Sequence, residues 1–227
     1  MNVSEELRKS PWLTKEILGE ISPQDLAFIH SIGLPLKVKK NEAIFCPGDN
    51  NNQLIFLEKG TVKYLIYSKN GEIGTICYIS DGCLLGEASY FHSHPLTARA
   101  IAFTDLNLIS IGEEHMNEIL SRPSLMKSII TSLSIKFDML LGQIEDASFR
   151  NHAQKICRAL YCLCKTQNTN NIAITHQELA DITNTHRVTV TKTLLKLKKE
   201  GIISFPNKRR LKIIDWEGLY TYGDDAS

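Results

Sequence analysis

Residues 174–203 read ITHQELADITNTHRVTVTKTLLKLKKEGII, and this stretch decides the architecture of the chain. Thr175 followed by Glu178 is a capping box, which predicts a short helix running through Ile182. Leu179 and Ile182 supply its inner face. Asn184 stands where a tight turn needs a left-handed residue, a conformation Asn tolerates because its short polar side chain bonds locally. Thr185 is placed to cap a second helix that continues to about Glu200 and ends at Gly201. At about 100° per residue, Val190, Leu194 and Leu197 gather on one side of this helix. Arg187, Val188, Thr191 and Lys192 occupy an arc of about 140° on the other. One face anchored and the other free is what a helix needs to enter the major groove of duplex DNA. Arg187 suits guanine O6 and N7, Val188 suits a thymine methyl, and Thr191 and Lys192 can reach a base edge or a phosphate. A solvated amphipathic surface helix is the rival explanation; the ordered cap, turn and second helix argue against it.

Working outward, Ile202 to Phe205 and Leu211 to Ile214 flank the run PNKRR at 206–210. Two strands around a basic turn predict a wing, with Lys208, Arg209 and Arg210 placed to neutralise phosphates. Thr175 and Gln177, in the first turn of the leading helix, complete the expected DNA-binding set. The charge balance agrees. Residues 1–149 hold 13 Lys+Arg against 18 Asp+Glu, and residues 150–227 hold 13 against 7, so a net charge of −5 precedes one of +6. Such asymmetry points to a polyanion-binding C-terminal part on an acidic N-terminal one.

Upstream the texture changes. Between residues 20 and 115, short apolar runs such as Ala43–Cys46, Leu54–Leu57 and Val62–Tyr67 alternate with turn residues, which predicts an antiparallel barrel or sandwich. Asn70-Gly71 is the clearest hairpin signal and is expected to form a type I′ turn, with positive φ at both residues. A long helical stretch then runs from Glu113 to Ile144, broken by Pro123. After that proline Leu125, Ile129, Leu133, Phe137, Leu140 and Ile144 recur at spacings of three or four, a stripe that a second copy would bury in a coiled-coil seam. Packing within one chain is the alternative. The expected domains are a sensing barrel at 1–112, helices including the dimerisation helix at 113–149, and a DNA-binding domain at 150–227. The fold class is α+β.

No apolar run reaches the length of a membrane span, and the first residues lack a secretory signal, so a cytoplasmic protein is expected. The six cysteines include no CxxC pair, and free, mostly buried thiols are the expectation.

The 174–196 segment, with Gly82-x-x-x-Gly86-Glu87 behind glycine-punctuated strands, resembles the CRP/FNR superfamily of bacterial transcription regulators over nearly the whole chain. The resemblance implies a cyclic-nucleotide-binding-type jelly-roll barrel, a dimerisation helix and a winged helix-turn-helix. It also implies a homodimer on a palindromic promoter site, a small-molecule effector, and RNA polymerase as partner. Gly86, Glu87, Leu96 and Thr97 fall in the effector-binding region. Cyclic-nucleotide responders carry an Arg before the hydroxyl residue at this loop; here Leu96 precedes Thr97, and Arg99 is displaced by two. A cyclic phosphate would lose a charge-assisted contact, so an effector other than cAMP is expected. The oxygen-sensing branch binds an iron–sulfur cluster through N-terminal cysteines; the first cysteine here is Cys46, so no such cluster and no certain cofactor is expected. The run from His186 to Lys192 is similar to the halorespiration regulators of the family, which implies an aromatic, even halogenated, acidic effector.

Rival readings remain on the residues. Gly86-x₅-His92-x-His94 matches the opening of a cupin metal motif, which would make the barrel a metal-dependent enzyme; the later Glu and His of such a site are not apparent. A constitutive DNA-binding dimer without effector is the third reading. Cys83 has either a redox-sensing or a structural role, structural being favoured. Glu87 either accepts hydrogen bonds from an effector or braces its own loop.

Overall fold

The computed structural model describes residues 13–14, 21–49, 52–71, 73–92, 96–166, 168–207 and 210–224. The chain divides into two compact units between Asp138 and Met139, inside the long helix.

The N-terminal unit opens with β1 (Leu13–Thr14) and α1 (Pro23–Ile32), whose N-cap Ser22 accepts from the Asp25 amide at 3.1 Å. Strands β2 (Leu34–Val38), β3 (Ala43–Phe45), β4 (Leu54–Lys59), β5 (Thr61–Tyr67), β6 (Ile73–Ser80) and β7 (Cys83–Leu85) follow. After α2 (Glu87–His92) come β8 (Arg99–Ala102) and β9 (Leu106–Ile111). The strands form two sheets, in the orders β1-β6-β5-β8-β3 and β2-β9-β4-β7. Leu54, Ile55, Phe56 and Leu57 of β4 are all buried. Successive side chains of a strand point to opposite faces, so this sheet is covered on both sides. On one side Leu54 and Phe56 pack with Leu84, Ile109 and Ile111 against Ile29 of α1 and Tyr90 of α2.

The β5–β6 connection corrects the expected type I′ turn. Among the described residues of this connection Gly71 is left-handed (φ +82) and Asn70 is not, and the Gly71 amide bonds to the Ser68 carbonyl at 3.0 Å. The connection from Tyr67 to Ile73 is longer than two residues, and longer hairpin loops are built around an ordinary turn closed by a left-handed glycine, which relieves Asn70 of positive φ.

A 3₁₀ turn at Glu113–His115 and α3 (Met116–Leu120) lead to α4 (Pro123–Phe149), which begins at the expected proline and runs five residues past Ile144. Proline is tolerated in the first turn because that amide has no helical partner.

In the C-terminal unit, α5 (His152–Thr166) buries Ile156, Cys157, Leu160, Leu163 and Cys164. Strands β10 (Asn171–Ala173), β11 (Ile203–Asn207) and β12 (Arg210–Ile213) make an antiparallel sheet in the order β10-β12-β11. Between them lie α6 (His176–Thr183) and α7 (Arg187–Lys199), and α8 (Trp216–Asp224) closes the chain. Tyr161 of α5 packs edge-on to Trp216 of α8 (ring centroids 5.7 Å). No described helix is long and apolar enough to cross a membrane.

Candidate nucleic-acid interface

Helix α6 starts with the expected reciprocal box. The Glu178 amide donates to Thr175 Oγ1 (3.1 Å), and the Thr175 amide donates to Glu178 Oε2 (2.8 Å). Asn184 then takes the left-handed conformation (φ 48°, ψ 48°) that turns the chain. The next helix departs from expectation at its start. It begins at Arg187 with His186 as its N-cap and no side-chain cap. Thr185 is occupied elsewhere, its hydroxyl sharing a 2.8 Å hydrogen bond with that of Thr183.

Val190, Leu194 and Leu197 are buried to within 1% of complete and anchor α7. Arg187, Val188 and Lys192 are exposed on the far side, Val188 at 65%, and Thr191 is half-buried. The anchoring core therefore exposes most of the quartet.

Thr191 is the exception in its hydrogen bonding. Its hydroxyl donates to the Arg187 carbonyl (3.0 Å) and meets His176 Nδ1 at 2.8 Å. His176, Gln177, Arg187, Phe205 and Arg210 line a groove of about 380 Å³ between the two helices and the wing. Gln177 is exposed and donates to Asp181 Oδ1 at 2.8 Å. Arg210 is exposed at the start of β12; Lys208 and Arg209 lie outside the described residues.

In the N-terminal unit, Gly86 is left-handed (φ +85), and a Cβ there would stand 2.6 Å from the Gln53 carbonyl oxygen, so the tight entry to Glu87 requires glycine. Glu87 is 5% exposed. Its Oε1 lies 2.5 Å from Lys136 Nζ, and Ser132 Oγ donates to the same oxygen at 3.4 Å. Lys136 also donates to the Leu84 carbonyl at 2.7 Å. Glu87 thus braces its strand–helix junction against α4. The half-buried Leu96 exchanges backbone hydrogen bonds with Gly48 (2.8 Å) and Asp49 (3.2 Å), and Thr97 is exposed.

Sequence reasoning missed two residues that the geometry brings forward, Lys136 and Ser132, and gave no role to a third, Arg99. Lys136 and Ser132 sit one turn apart on α4, a spacing that marks a shared face. Arg99 carries a buried Nε with no hydrogen-bond partner among the described residues, while its Nη1 reaches the Tyr67 hydroxyl at 3.4 Å. Of the cupin-like pair, His94 lies outside the described residues, and only the backbone of His92 is described. Cys83 is fully buried and Cys77 nearly so; burial pushes the Cys77 thiol up to about 12 despite nearby Lys136.

The expected seam needs correction at its start. Leu125 and Ile129 are each 1% exposed and belong to the core around Ile29 and Ile109, so they have no surface to offer a second chain. Leu133, Phe137, Leu140 and Ile144 are exposed at 42–61%, and Ile130 joins them at 57%. From Ile130 their spacing is three, four, three, four.

A helix pair with one anchored and one free basic face, beside a wing hairpin whose described residues expose Arg210, and following a separate two-sheet unit, defines a DNA-reading module attached to a sensor-type domain. Comparisons agree in both halves. The model of the Crp-like helix-turn-helix domain matches residues 154–222, and that of the cyclic nucleotide-binding domain matches residues 35–123. The chain is 28% identical over 189 residues to the global nitrogen regulator of Synechococcus elongatus, covering 78% of this chain and 85% of that protein. It is 22% identical over 211 residues to a CRP-like cAMP-activated global transcriptional regulator of Mycobacterium tuberculosis, covering 89% and 94%. A solved structure of CprK complexed with OCPA shares the fold, with a TM-score of 0.71, 21% identity, and coverage of 91% of this chain and 98% of that one. The chain belongs to the CRP/FNR family of transcription regulators, as a DNA-binding protein with an effector-binding domain. This family regulates transcription and does not catalyse, which sets the cupin-enzyme reading aside.

Proposed function

We propose that the protein is a cytoplasmic homodimeric regulator that reads a palindromic site in duplex DNA through Arg187, Val188, Thr191 and Lys192. Thr175, Gln177, Lys208, Arg209 and Arg210 hold the phosphates on either side. One observation carries the reading: α7 buries Val190, Leu194 and Leu197 while Arg187, Val188 and Lys192 stay exposed beside the basic start of β12. Two copies pair along α4 through Ile130, Leu133, Phe137, Leu140 and Ile144, whose alternation of three and four is that of a coiled-coil seam. Two recognition helices related by a two-fold axis would meet half-sites about one helical turn, or a multiple of it, apart. RNA polymerase is the partner downstream.

The effector we assign is an aromatic acid, bound near Gly86, Glu87, Leu96 and Thr97. Arg99 Nε, buried and without a partner among the described residues, supports an anion, because a buried donor is costly until something satisfies it. Aromatic pairs such as Phe45–Tyr64 (ring centroids 5.6 Å) support a ring in the same unit. No Arg precedes Thr97 to hold a cyclic phosphate, which favours an aromatic acid over cAMP. Selection of bound sequences from a random duplex pool, with and without aromatic carboxylates, tests the proposal. The expected result is a two-fold symmetric site whose affinity rises with one acid. An asymmetric site would oppose the dimer, and equal affinity throughout would favour a constitutive binder.

A further inference from the structure

A threonine hydroxyl has one proton and two lone pairs. In Thr191 the proton goes to the Arg187 carbonyl oxygen one turn back, at 3.0 Å. With that proton committed, the 2.8 Å contact to His176 Nδ1 requires the imidazole to donate, which occupies one lone pair. His176 belongs to the first turn of α6, so the bond is fixed by the packing of two helices and does not depend on DNA. A base edge meeting Thr191 therefore finds no O–H donor. It finds the γ-methyl and a single lone pair.

We infer that Thr191 reads DNA through its methyl group, selecting the 5-methyl of thymine at one position in each half-site, while His176 acts as the positioning residue that withdraws its hydroxyl. The inference rests on the proposed reading of α7 as the groove-entering helix. Thymine presents O4 and a methyl in the major groove, and threonine's methyl is a suitable apolar partner for the latter. Uracil differs from thymine only by that methyl, so replacing thymine with uracil isolates the contact. Val188 also offers methyl groups, and pairing each base change with a residue change separates the two.

The test starts from a sequence selected by the full-length protein. Each thymine of one half-site is replaced singly by uracil, and dissociation constants are measured for the wild type, Thr191→Ser and Thr191→Val. In the wild type, uracil at the position read by Thr191 should weaken binding about fourfold, the worth of one buried methyl. Thr191→Ser keeps both hydrogen bonds and should lose that sensitivity while retaining any due to Val188. Thr191→Val should retain the sensitivity. The reverse pattern, with Ser retaining and Val losing it, assigns the reading to the hydroxyl and overturns the inference; identical profiles in all three proteins also overturn it. If Thr191→Val melts early, the wild type and Thr191→Ser decide alone. Failure to select any sequence refutes the proposed function on which the inference rests, whereas a selected site with unchanged profiles refutes only the inference.

Discussion

Replacing Lys136 by Met should destabilise the sensor unit while leaving the DNA-reading unit untouched. Lys136 Nζ sits 2.5 Å from Glu87 Oε1, and among the described residues the Ser132 hydroxyl also donates to this carboxylate, at 3.4 Å. Glu87 is 5% exposed, so the change leaves a nearly buried charge without its paired cation. Removing one member of a buried pair costs about 3–5 kcal/mol. The lower end applies here, about 3 kcal/mol, because the Lys136 side chain is itself 20% exposed and water screens part of the pair. Removing both charges with Lys136→Met and Glu87→Leu should be within roughly 1 kcal/mol of the wild type, since a hydrophobic pair of similar volume replaces a buried ion pair at little cost. Hydrogen exchange reports stability region by region. Amides of β4 should exchange roughly a hundredfold faster in the single variant, the equivalent of about 3 kcal/mol, and recover in the double variant. Amides of α7 should not change. A double variant as unstable as the single one would refute the reasoning, because no coupling between the two charges would remain.

Arg187→Ala should cost about 1–3 kcal/mol on the selected site and little on scrambled DNA; equal losses on both would remove it from base reading. Arg210→Ala should weaken all sequences alike and lower the salt slope by about one per half-site contact, and an unchanged slope would take it off the phosphate set. Leu140→Asp should convert dimers to monomers by sedimentation at micromolar concentration without lowering sensor-unit stability. Burial holds the thiols of Cys77, Cys157 and Cys164 up to about 12, although Lys136 near Cys77 and Lys196 near Cys157 pull downward. Between pH 9 and 12 the unfolded chain loses these protons and the folded one keeps them, so the unfolded state binds fewer protons and stability falls as pH rises, by up to about 1.4 kcal/mol per unit per thiol. Urea unfolding at pH 8.5, 9.5 and 10.5 checks the slope; at pH 8 these three should also resist alkylation while half-buried Cys46 is modified.

The DNA-reading unit was the most legible part because its signals are local. A capping box, a left-handed Asn and a helical period act within four residues, and Thr175, Asn184 and Val190 stand where those rules put them. Thr185 misled because a cap competes with any nearby hydroxyl, and Thr183 won that competition. The type I′ assignment at Asn70 failed on loop length, which follows from strand register. Lys136, Arg99 and the His176–Thr191 bond depend on side chains far apart in sequence: 49 residues separate Lys136 from Glu87, and 15 separate His176 from Thr191. Each pair joins two different elements, so no periodic pattern within one helix or strand contains both partners.

Helix α4 shows why its apolar residues read as one stripe when they form two. At about 100° per residue, Leu125, Ile129, Ser132 and Lys136 fall within an arc of about 60°, and Ile130, Leu133, Phe137, Leu140 and Ile144 within the neighbouring arc of about 80°. The first arc meets the sensor unit: Leu125 and Ile129 enter its core, Ser132 is fully buried, and Lys136 reaches Glu87. The second is exposed. Between Ile130 and Phe137 the ordinary arrangement is thereby reversed, with Ser132 and Lys136 facing the sensor unit and Ile130, Leu133 and Phe137 facing outward. A helix that served only its own chain would gain nothing from this order, because each outward Leu, Ile or Phe forgoes about 1.5–3 kcal/mol available on burial. The reversal is favourable when a second apolar surface covers the outer arc. In the proposed dimer, a copy of the same helix brings that surface in matching register.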